Sequence, residues 1–192
     1  MKETIRQALK DYPVFTVKDL SSLLNKKRNY TYLQAYRWKN QNLIYEIEKG
    51  KYTLEKDPFL VSSRIVWPSY ISGWTAINYY HLTDQVPFTI QVITSRKRKK
   101  RIINYGHAKI EFSTVKPSFL TGFQKVIYDQ HEIFIAEKEK ALIDALATRK
   151  ISWGECIEII KNNIRKLNKK KLLEYAGMVR GLKIKLRRAL YD

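Results

Sequence analysis

Apolar side chains in residues 1–56 recur first at helical spacing and then in the alternation of β-strands. A first helix is predicted over Met1–Lys10, with Ile5 and Leu9 on one apolar stripe. It ends before Pro13, because the residue that precedes a proline disfavours helical backbone. The chain is therefore expected to begin with a short amphipathic helix.

Two further apolar stripes predict a second and a third helix. Thr16 precedes the second helix, and Asp19 three residues later completes a capping box. The buried face of this helix is expected to consist of four apolar side chains: Val17, Leu20, Leu23 and Leu24. The third helix is predicted from Asn29 or Tyr30 to Gln41. Its inward face is expected to consist of Thr31, Ala35 and Trp38.

A hairpin is predicted after the third helix. Leu43–Ile47 alternates like a strand, Glu48-Lys49-Gly50 turns the chain, and Lys51–Leu54 returns. Three short helices followed by a two-stranded hairpin are typical of the winged helix-turn-helix. The sequence therefore predicts a winged helix-turn-helix DNA-binding domain over residues 1–56.

The remaining residues, 57–192, follow a polar, proline-containing junction, Glu55–Pro58, and are predicted to form a second domain. A helix over Ser72–Tyr80, capped by Ser72, precedes a strand over Phe88–Thr94. Further strands are predicted at Ala108–Ser113, Lys125–Tyr128 and Glu132–Ala136. Further helices are predicted at Glu137–Thr148, Ser152–Lys166, Lys169–Tyr175 and Val179–Leu190. The predicted class is α+β, with a small antiparallel sheet and a basic, helical C-terminal region.

The composition predicts a folded, soluble, cytoplasmic protein without a cofactor. Hydrophobic residues make up 44% and aromatic residues 12% of the chain, which argues against disorder. The single cysteine, Cys156, excludes an intramolecular disulfide, and it lies on an apolar helix face, so a buried thiol is expected. The three histidines, His81, His107 and His131, are too far apart in sequence for a metal motif. We expect no signal peptide and no membrane span.

The charge of the chain predicts an anionic partner. There are 37 Lys and Arg against 18 Asp and Glu, for a net charge of +19. Residues 1–56 hold 12 basic and 6 acidic side chains, and residues 161–192 hold 11 basic against Glu174 and Asp192. Because the excess extends over the whole chain, a nucleic acid phosphate backbone is the favoured partner. An acidic protein is the alternative.

The candidate DNA contacts fall into three groups. The outward side of the third helix offers side chains able to contact phosphates and base edges, namely Tyr30, Tyr32, Gln34 and Arg37. Of these, Tyr32, Gln34 and Arg37 are expected to read the bases. Phosphate contacts are expected from the turn before that helix and from the hairpin tip: Lys26, Lys27, Arg28, Lys49 and Lys51. A third group is a run of six basic residues on a loop after a strand: Arg96, Lys97, Arg98, Lys99, Lys100 and Arg101. This run cannot enter an apolar core unpaired, and it predicts a sequence-independent contact.

A search for catalytic motifs favours a protein that is not an enzyme. Metal-dependent nucleases need carboxylates, commonly with Glu or Gln two positions before Lys, and this spacing does not occur in the chain. Glu137-Lys138-Glu139-Lys140 comes nearest, but it opens a predicted helix, where i,i+3 pairing is expected. The seven glycines form no phosphate-cradling loop.

Three segments resemble the AbiEi-like antitoxins, the regulatory halves of abortive-infection toxin–antitoxin pairs. They are Pro68–Pro87, Thr94–Arg98 and Ala136–Asp144. With the predicted winged helix in front, the resemblance covers nearly the whole chain. It implies an N-terminal domain that binds inverted repeats in its own promoter, and a C-terminal domain active against a nucleotidyltransferase-like toxin. The chain departs from the family in its unusually basic second domain.

Two functions are therefore expected from different classes. The first is a sequence-specific transcriptional autorepressor that binds double-stranded DNA and serves as an antitoxin. The second is a protein-interaction module whose basic second domain binds an acidic partner, the toxin, with little DNA binding. The sequence leaves open the operator, the oligomeric state and whether the toxin is contacted directly.

Overall fold

The fold is mixed α+β in a computed structural model that describes Met1 and residues 3–191. Lys2, in the predicted first helix, and Asp192 lie outside the described residues. The α-helices of the described part are α1 (Glu3–Lys10), α2 (Val17–Leu24), α3 (Arg28–Asn40), α4 (Pro58–Ser62), α5 (Gly73–Tyr79), α6 (Lys138–Ala147), α7 (Trp153–Asn162), α8 (Lys169–Ala176) and α9 (Leu182–Tyr191). The strands are β1 (Phe15–Thr16), β2 (Tyr45–Glu48), β3 (Lys51–Thr53), β4 (Ser69–Ile71), β5 (Thr89–Thr94), β6 (Ile102–Tyr105), β7 (Ala108–Thr114), β8 (Phe123–Tyr128) and β9 (His131–Ala136).

The three N-terminal helices lie within one or two residues of the predicted bounds. The capping box at α2 is confirmed: Thr16 Oγ1 accepts from the Asp19 N–H, and the Asp19 carboxylate accepts from the Thr16 N–H. Asn25, with left-handed backbone, ends the helix. Val17 and Leu20 are buried as predicted. Leu23 was predicted wrongly, because it points outward and is 41% exposed.

Helix α3 rests on a small apolar cluster through the face that its sequence predicts. Thr31, Ala35 and Trp38 are all buried. Ala35 and Trp38 belong to the cluster, together with Leu9, Phe15, Val17, Leu20, Ile44 and Tyr52. The small sheet has the antiparallel order β1-β3-β2. The short strand β1 escapes sequence analysis because two residues show no alternation.

The larger sheet corrects one prediction. Its order is β6-β7-β5-β4-β9-β8, and it is mixed rather than antiparallel, because β7 pairs with β5, and β9 with β4, in parallel. The loop after β5 leads to β6, which forms a hairpin with β7. This crossover lets β7 return alongside β5 in the same direction. Neither β6 nor β4 was predicted, and without β6 the chain has no such crossover.

The larger sheet and the C-terminal helices share a second, larger apolar core. Helix α6 packs against α5, α7 and α8, and α8 packs against α9. Helix α7 begins with a second capping box, between Ser152 and Glu155. No helix among the described residues is long and apolar enough to cross a membrane.

The N-terminal part makes direct contacts with the larger sheet. Ile47 of β2 belongs to the larger core, and the Tyr105 hydroxyl donates to the carbonyl oxygen of Glu55. His131 Nε2 lies 3.4 Å from Glu55 Oε1. The domain boundary between residues 56 and 57 stays a prediction.

The thiol of Cys156 is expected to be unreactive in the folded protein. It is fully buried, and burial raises its pKa to about 12, so little thiolate exists near pH 8. A colorimetric disulfide reagent should react slowly with the native protein and promptly after denaturation in urea. Immediate, stoichiometric reaction in native buffer would contradict this assignment.

Candidate nucleic-acid interface

The outward face of α3 is the strongest candidate contact surface. Opposite its buried residues, this helix exposes large aromatic and aliphatic side chains: Tyr30, Tyr32, Leu33 and Tyr36. Leu33 is 60% and Tyr36 63% exposed. Exposed side chains of this size cluster at recognition surfaces. Leu33 and Tyr36 were not among the predicted contacts, although their position opposite Thr31, Ala35 and Trp38 on a helical wheel indicates that they are exposed.

Gln34 and Arg37, two of the predicted base-reading side chains, lie on one side of this face. Gln34 is half-buried and Arg37 is exposed, one helical turn further along. A side-chain amide and a guanidinium are the groups that bind adenine and guanine edges in two-point contacts. The structure therefore places Gln34 and Arg37 on the same side of the helix.

The N-terminus of α3 concentrates positive charge. Lys26 and Lys27 are exposed just before it, and Arg28 is its first residue, one position earlier than predicted. Lys27, at the N-cap, provides no side-chain cap, and the first turn holds no acidic residue. Cations here oppose the helix dipole and weaken an isolated helix. They also favour a phosphate at this end, where free backbone N–H groups point outward.

Arg28 is partly organised by a neighbour on the next turn. Its Nη2 donates to the Tyr32 hydroxyl at 3.3 Å, and the guanidinium carbon lies 5.6 Å from the centre of the Tyr32 ring. This contact restricts the rotamers of both side chains. Arg28 and Tyr32 therefore form a contacting pair at the start of α3, although they were predicted to belong to different groups of DNA contacts.

The stretch around α3 has no acidic side chain. From Leu20 to Tyr45 there are five Lys and Arg and no Asp or Glu. The first carboxylate that follows, Glu46, is paired with Lys39 near the end of the helix. The positive potential over the helix face is therefore not offset locally.

The hairpin between β2 and β3 differs from the prediction at one of its two lysines. Lys49 is exposed in the turn, as expected. The ammonium of Lys51 instead donates to the carbonyl oxygen of Ile65 and lies 2.9 Å from Glu48 Oε1. Lys51 thus bonds the hairpin to the segment after α4, and its role as a phosphate contact stays a prediction.

The basic run lies on the irregular segment between β5 and β6, as predicted for a loop. Five of its six members are exposed: Arg96, Lys97, Lys99, Lys100 and Arg101. Arg98 corrects the expectation of a uniformly solvated run, because its side chain is only 10% exposed and bonds Glu48 of the hairpin at 2.5 Å. The structure therefore brings the run next to the hairpin turn that carries Lys49.

Glu48 is the acidic partner in this contact. Burial opposes ionisation of its carboxyl, but hydrogen bonds and charge from Lys51 and Arg98 outweigh burial and hold its pKa below the usual value. A carboxyl with a lowered pKa stabilises the fold fully above its unfolded-state pKa, and this stabilisation is lost as the pH falls through the folded-state pKa.

We therefore expect the stability difference between the wild type and Glu48→Gln to shrink on acidification. Urea unfolding between about pH 7 and about pH 3 measures it. The wild type should be the more stable protein at neutral pH, and the two curves should converge at the acidic end. A difference that stays constant across this range would contradict the assignment.

The segments 68–87 and 136–144 meet inside the larger core. Lys140 and Asp144 form an ion pair in which both side chains are 0% exposed. Asp144 Oδ2 also accepts from the Tyr70 hydroxyl at 3.0 Å and the Ser72 hydroxyl at 2.7 Å. Lys140 Nζ donates to the Tyr70 oxygen at 3.1 Å and lies 3.8 Å from the Phe119 ring centre.

This buried cluster corrects two predictions from the sequence. Ser72 stands at the N-cap position of α5, but its hydroxyl bonds Asp144 instead of capping the helix. Lys140 pairs with Asp144 at i,i+4, and Glu137 instead bonds Lys171 and Tyr175. Burial raises the pKa of Asp144 and lowers that of Lys140, and hydrogen bonds offset part of this cost. The cluster is enclosed, so its role is packing and not ligand contact.

The described residues contain no group of three His, Cys, Asp or Glu side chains arranged to hold a metal ion.

No protein-family model matches the chain, and a search of curated proteins found no match. The AbiEi-like resemblance therefore stays a prediction.

Proposed function

We propose that this protein is a sequence-specific DNA-binding transcriptional autorepressor that also serves as the antitoxin of a toxin–antitoxin pair. The single observation that carries the DNA-binding part is the exposed face of α3. This face combines aromatic side chains, Gln34 and Arg37 with a cationic N-terminus and has no acidic residue. Base readout needs such donors, and phosphate contacts need the adjacent cations.

The order of the N-terminal elements supports a winged helix-turn-helix with α3 as the recognition helix. Helices α1, α2 and α3 precede the β2–β3 hairpin, and β1 pairs with β3. In this arrangement α3 enters the major groove and the hairpin lies beside the phosphate backbone. Lys26, Lys27 and Arg28 then contact phosphates that fix the register, while Gln34 and Arg37 contact base edges.

A reporter assay tests the autorepressor function. The DNA upstream of the gene drives a reporter, and the protein is supplied from a second plasmid. We expect repression that requires inverted repeats in that DNA and is lost in Arg37→Ala. Unchanged reporter output at full protein expression would refute the proposal.

Co-expression tests the antitoxin function. The family resemblance implies that an adjacent gene encodes a nucleotidyltransferase-like toxin, whose growth arrest this protein should relieve. If a neighbouring toxin gene arrests growth and this protein does not relieve the arrest, the antitoxin function is refuted. The proposed repressor function is unaffected by that result.

Substitutions should separate base readout from phosphate contact. Gln34→Ala or Arg37→Ala should relax the preference for the operator over scrambled DNA by about 1–3 kcal/mol, because a two-point base contact is lost. Replacing the five exposed cations of the basic run with Gln should weaken binding to all sequences alike. Competition binding with operator and scrambled duplexes measures both. A change of specificity in the second variant would contradict the assignment of readout to α3.

A protein-interaction module is the second candidate function. The observation in its favour is the C-terminal region, where 11 of the 37 cations lie and where Ile184 and Tyr191 are 64% and 63% exposed. Such a surface fits an acidic protein with apolar anchors. Co-purification with the neighbouring gene product at high salt, without any shift of the upstream DNA, would favour this function over the first.

A further inference from the structure

Arg98 is held on several sides, whereas Arg96 is exposed and its Nε donates to the carbonyl oxygen of Trp67 at 3.3 Å. The guanidinium carbon of Arg98 lies 4.3 Å from the centre of the Phe112 ring on β7. Its Nη2 donates to Glu48 Oε2 at 2.5 Å, and its Nε donates to the carbonyl oxygen of Lys100 at 3.3 Å. A stacked and hydrogen-bonded guanidinium of this kind fixes the loop that carries it.

Glu48 in turn belongs to a well-anchored hairpin. It accepts from Arg98 and also lies 2.9 Å from Lys51 Nζ, while Lys51 bonds the carbonyl oxygen of Ile65. The neighbouring Ile47 is 6% exposed in the larger core. The pair therefore joins two elements that are 50 residues apart in the chain.

We propose that Glu48 and Arg98 are positioning residues that dock the basic loop on the β2–β3 hairpin. The exposed cations of the loop and Lys49 then form one preorganised surface for the phosphates of duplex DNA. The five loop cations are Arg96, Lys97, Lys99, Lys100 and Arg101. The choice of DNA as the ligand rests on the proposed function, whereas the docking of the loop does not.

Preorganisation is the physical benefit of this contact. A free loop with five long cationic side chains loses conformational entropy when it binds, and that loss lowers affinity. A docked loop has lost part of this entropy before the DNA arrives. Glu48 is therefore expected to favour DNA binding although its own charge repels phosphate.

Two variants set docking against simple charge counting. Glu48→Gln raises the net charge by one, and Arg98→Lys leaves it unchanged but cannot reproduce the stacked fork. If affinity followed net charge alone, Glu48→Gln would bind DNA more tightly than the wild type and Arg98→Lys would bind it equally well. Docking predicts that both weaken binding by about 3- to 10-fold. The probe is a fluorescent random-sequence duplex of about 30 bp, followed by anisotropy between roughly 50 and 200 mM salt.

Glu46→Gln is the matched control. Glu46 lies on the same strand and is paired with Lys39 rather than with the loop. Removing its charge should tighten binding or leave it unchanged. If Glu48→Gln binds as tightly as Glu46→Gln, the positioning role is refuted. Thermal melting followed by circular dichroism confirms that each variant is folded.

A DNA-independent measurement separates the docking from the proposed function. Trypsin cleaves after Lys and Arg, so the loop offers six sites whose accessibility reports whether it is docked. Faster cleavage within residues 96–101 in Glu48→Gln and Arg98→Lys than in Glu46→Gln supports docking, and equal rates overturn it. If the wild type does not bind duplex DNA but trypsin still cleaves the loop faster in Glu48→Gln and Arg98→Lys, the docking of the loop is supported and the DNA-binding function is refuted.

Discussion

Replacing Asp144 with alanine should lower the free energy of unfolding by about 3–5 kcal/mol, the largest loss expected from any single substitution in this chain. The variant leaves the fully buried ammonium of Lys140 without its carboxylate. It also removes the acceptor of the Tyr70 and Ser72 hydroxyls. Each donor is then buried without its partner, which is more costly than losing the bond alone. Urea unfolding followed by circular dichroism measures the loss.

A double variant provides the control for this prediction. Lys140→Met with Asp144→Leu removes both charges and keeps the volume, so it should recover the part of the loss that comes from the unpaired ammonium, while the Tyr70 and Ser72 hydroxyls stay without their acceptor. A loss below about 1 kcal/mol for Asp144→Ala alone would mean that the pair is not charged and buried as described.

The second large effect is expected at the N-terminus of α3. Replacing Lys26, Lys27 and Arg28 together with glutamine should weaken operator binding on the order of 100-fold at about 150 mM salt. Each lost phosphate contact should also reduce the slope of log affinity against log salt by about 0.9. All three residues are exposed, so the fold should stay intact. Anisotropy titrations at several salt concentrations measure both quantities.

The matched control removes three exposed cations elsewhere. Lys161, Arg165 and Lys170 lie in the C-terminal region and, like the first set, are exposed. Their triple glutamine variant carries the same net charge, yet it should keep most of the affinity and the salt slope. Equal losses of affinity in the two triple variants would show that binding follows net charge alone. They would refute the assignment of the phosphate contacts to the N-terminus of α3.

Local patterns predicted the helices well because their signals lie within a few residues. The α2 capping box needs only Thr16 and Asp19, and the inward face of α3 follows from three residues at helical spacing. Strand pairing was less predictable. The parallel pairing of β5 with β7 depends on a crossover through β6, and β6 carries Asn104 and follows the basic run, so it shows little hydrophobic pattern.

The sequence predicts which residue types form the candidate site, but not which of its side chains bond distant parts of the chain. The exposed positions of Lys26, Lys27, Lys49 and Arg37 follow from polarity and spacing. The anchored state of Arg98 does not, because its partner Glu48 lies 50 residues earlier and nothing local pairs the two. For the same reason, the sequence predicts that Ser72 caps α5, whereas its hydroxyl bonds Asp144. Long-range polar pairs carry no sequence periodicity, so only the three-dimensional structure reveals them.

The most direct test of the DNA-binding function is a gel-shift salt series with the DNA upstream of the gene and a scrambled duplex of equal length. The account predicts a specific complex with the upstream DNA whose affinity falls steeply between about 50 and 200 mM salt, by tenfold or more. It also predicts that Arg37→Ala removes the preference over the scrambled duplex. A near-zero salt slope, or equal binding of the two duplexes by the wild type, would contradict it.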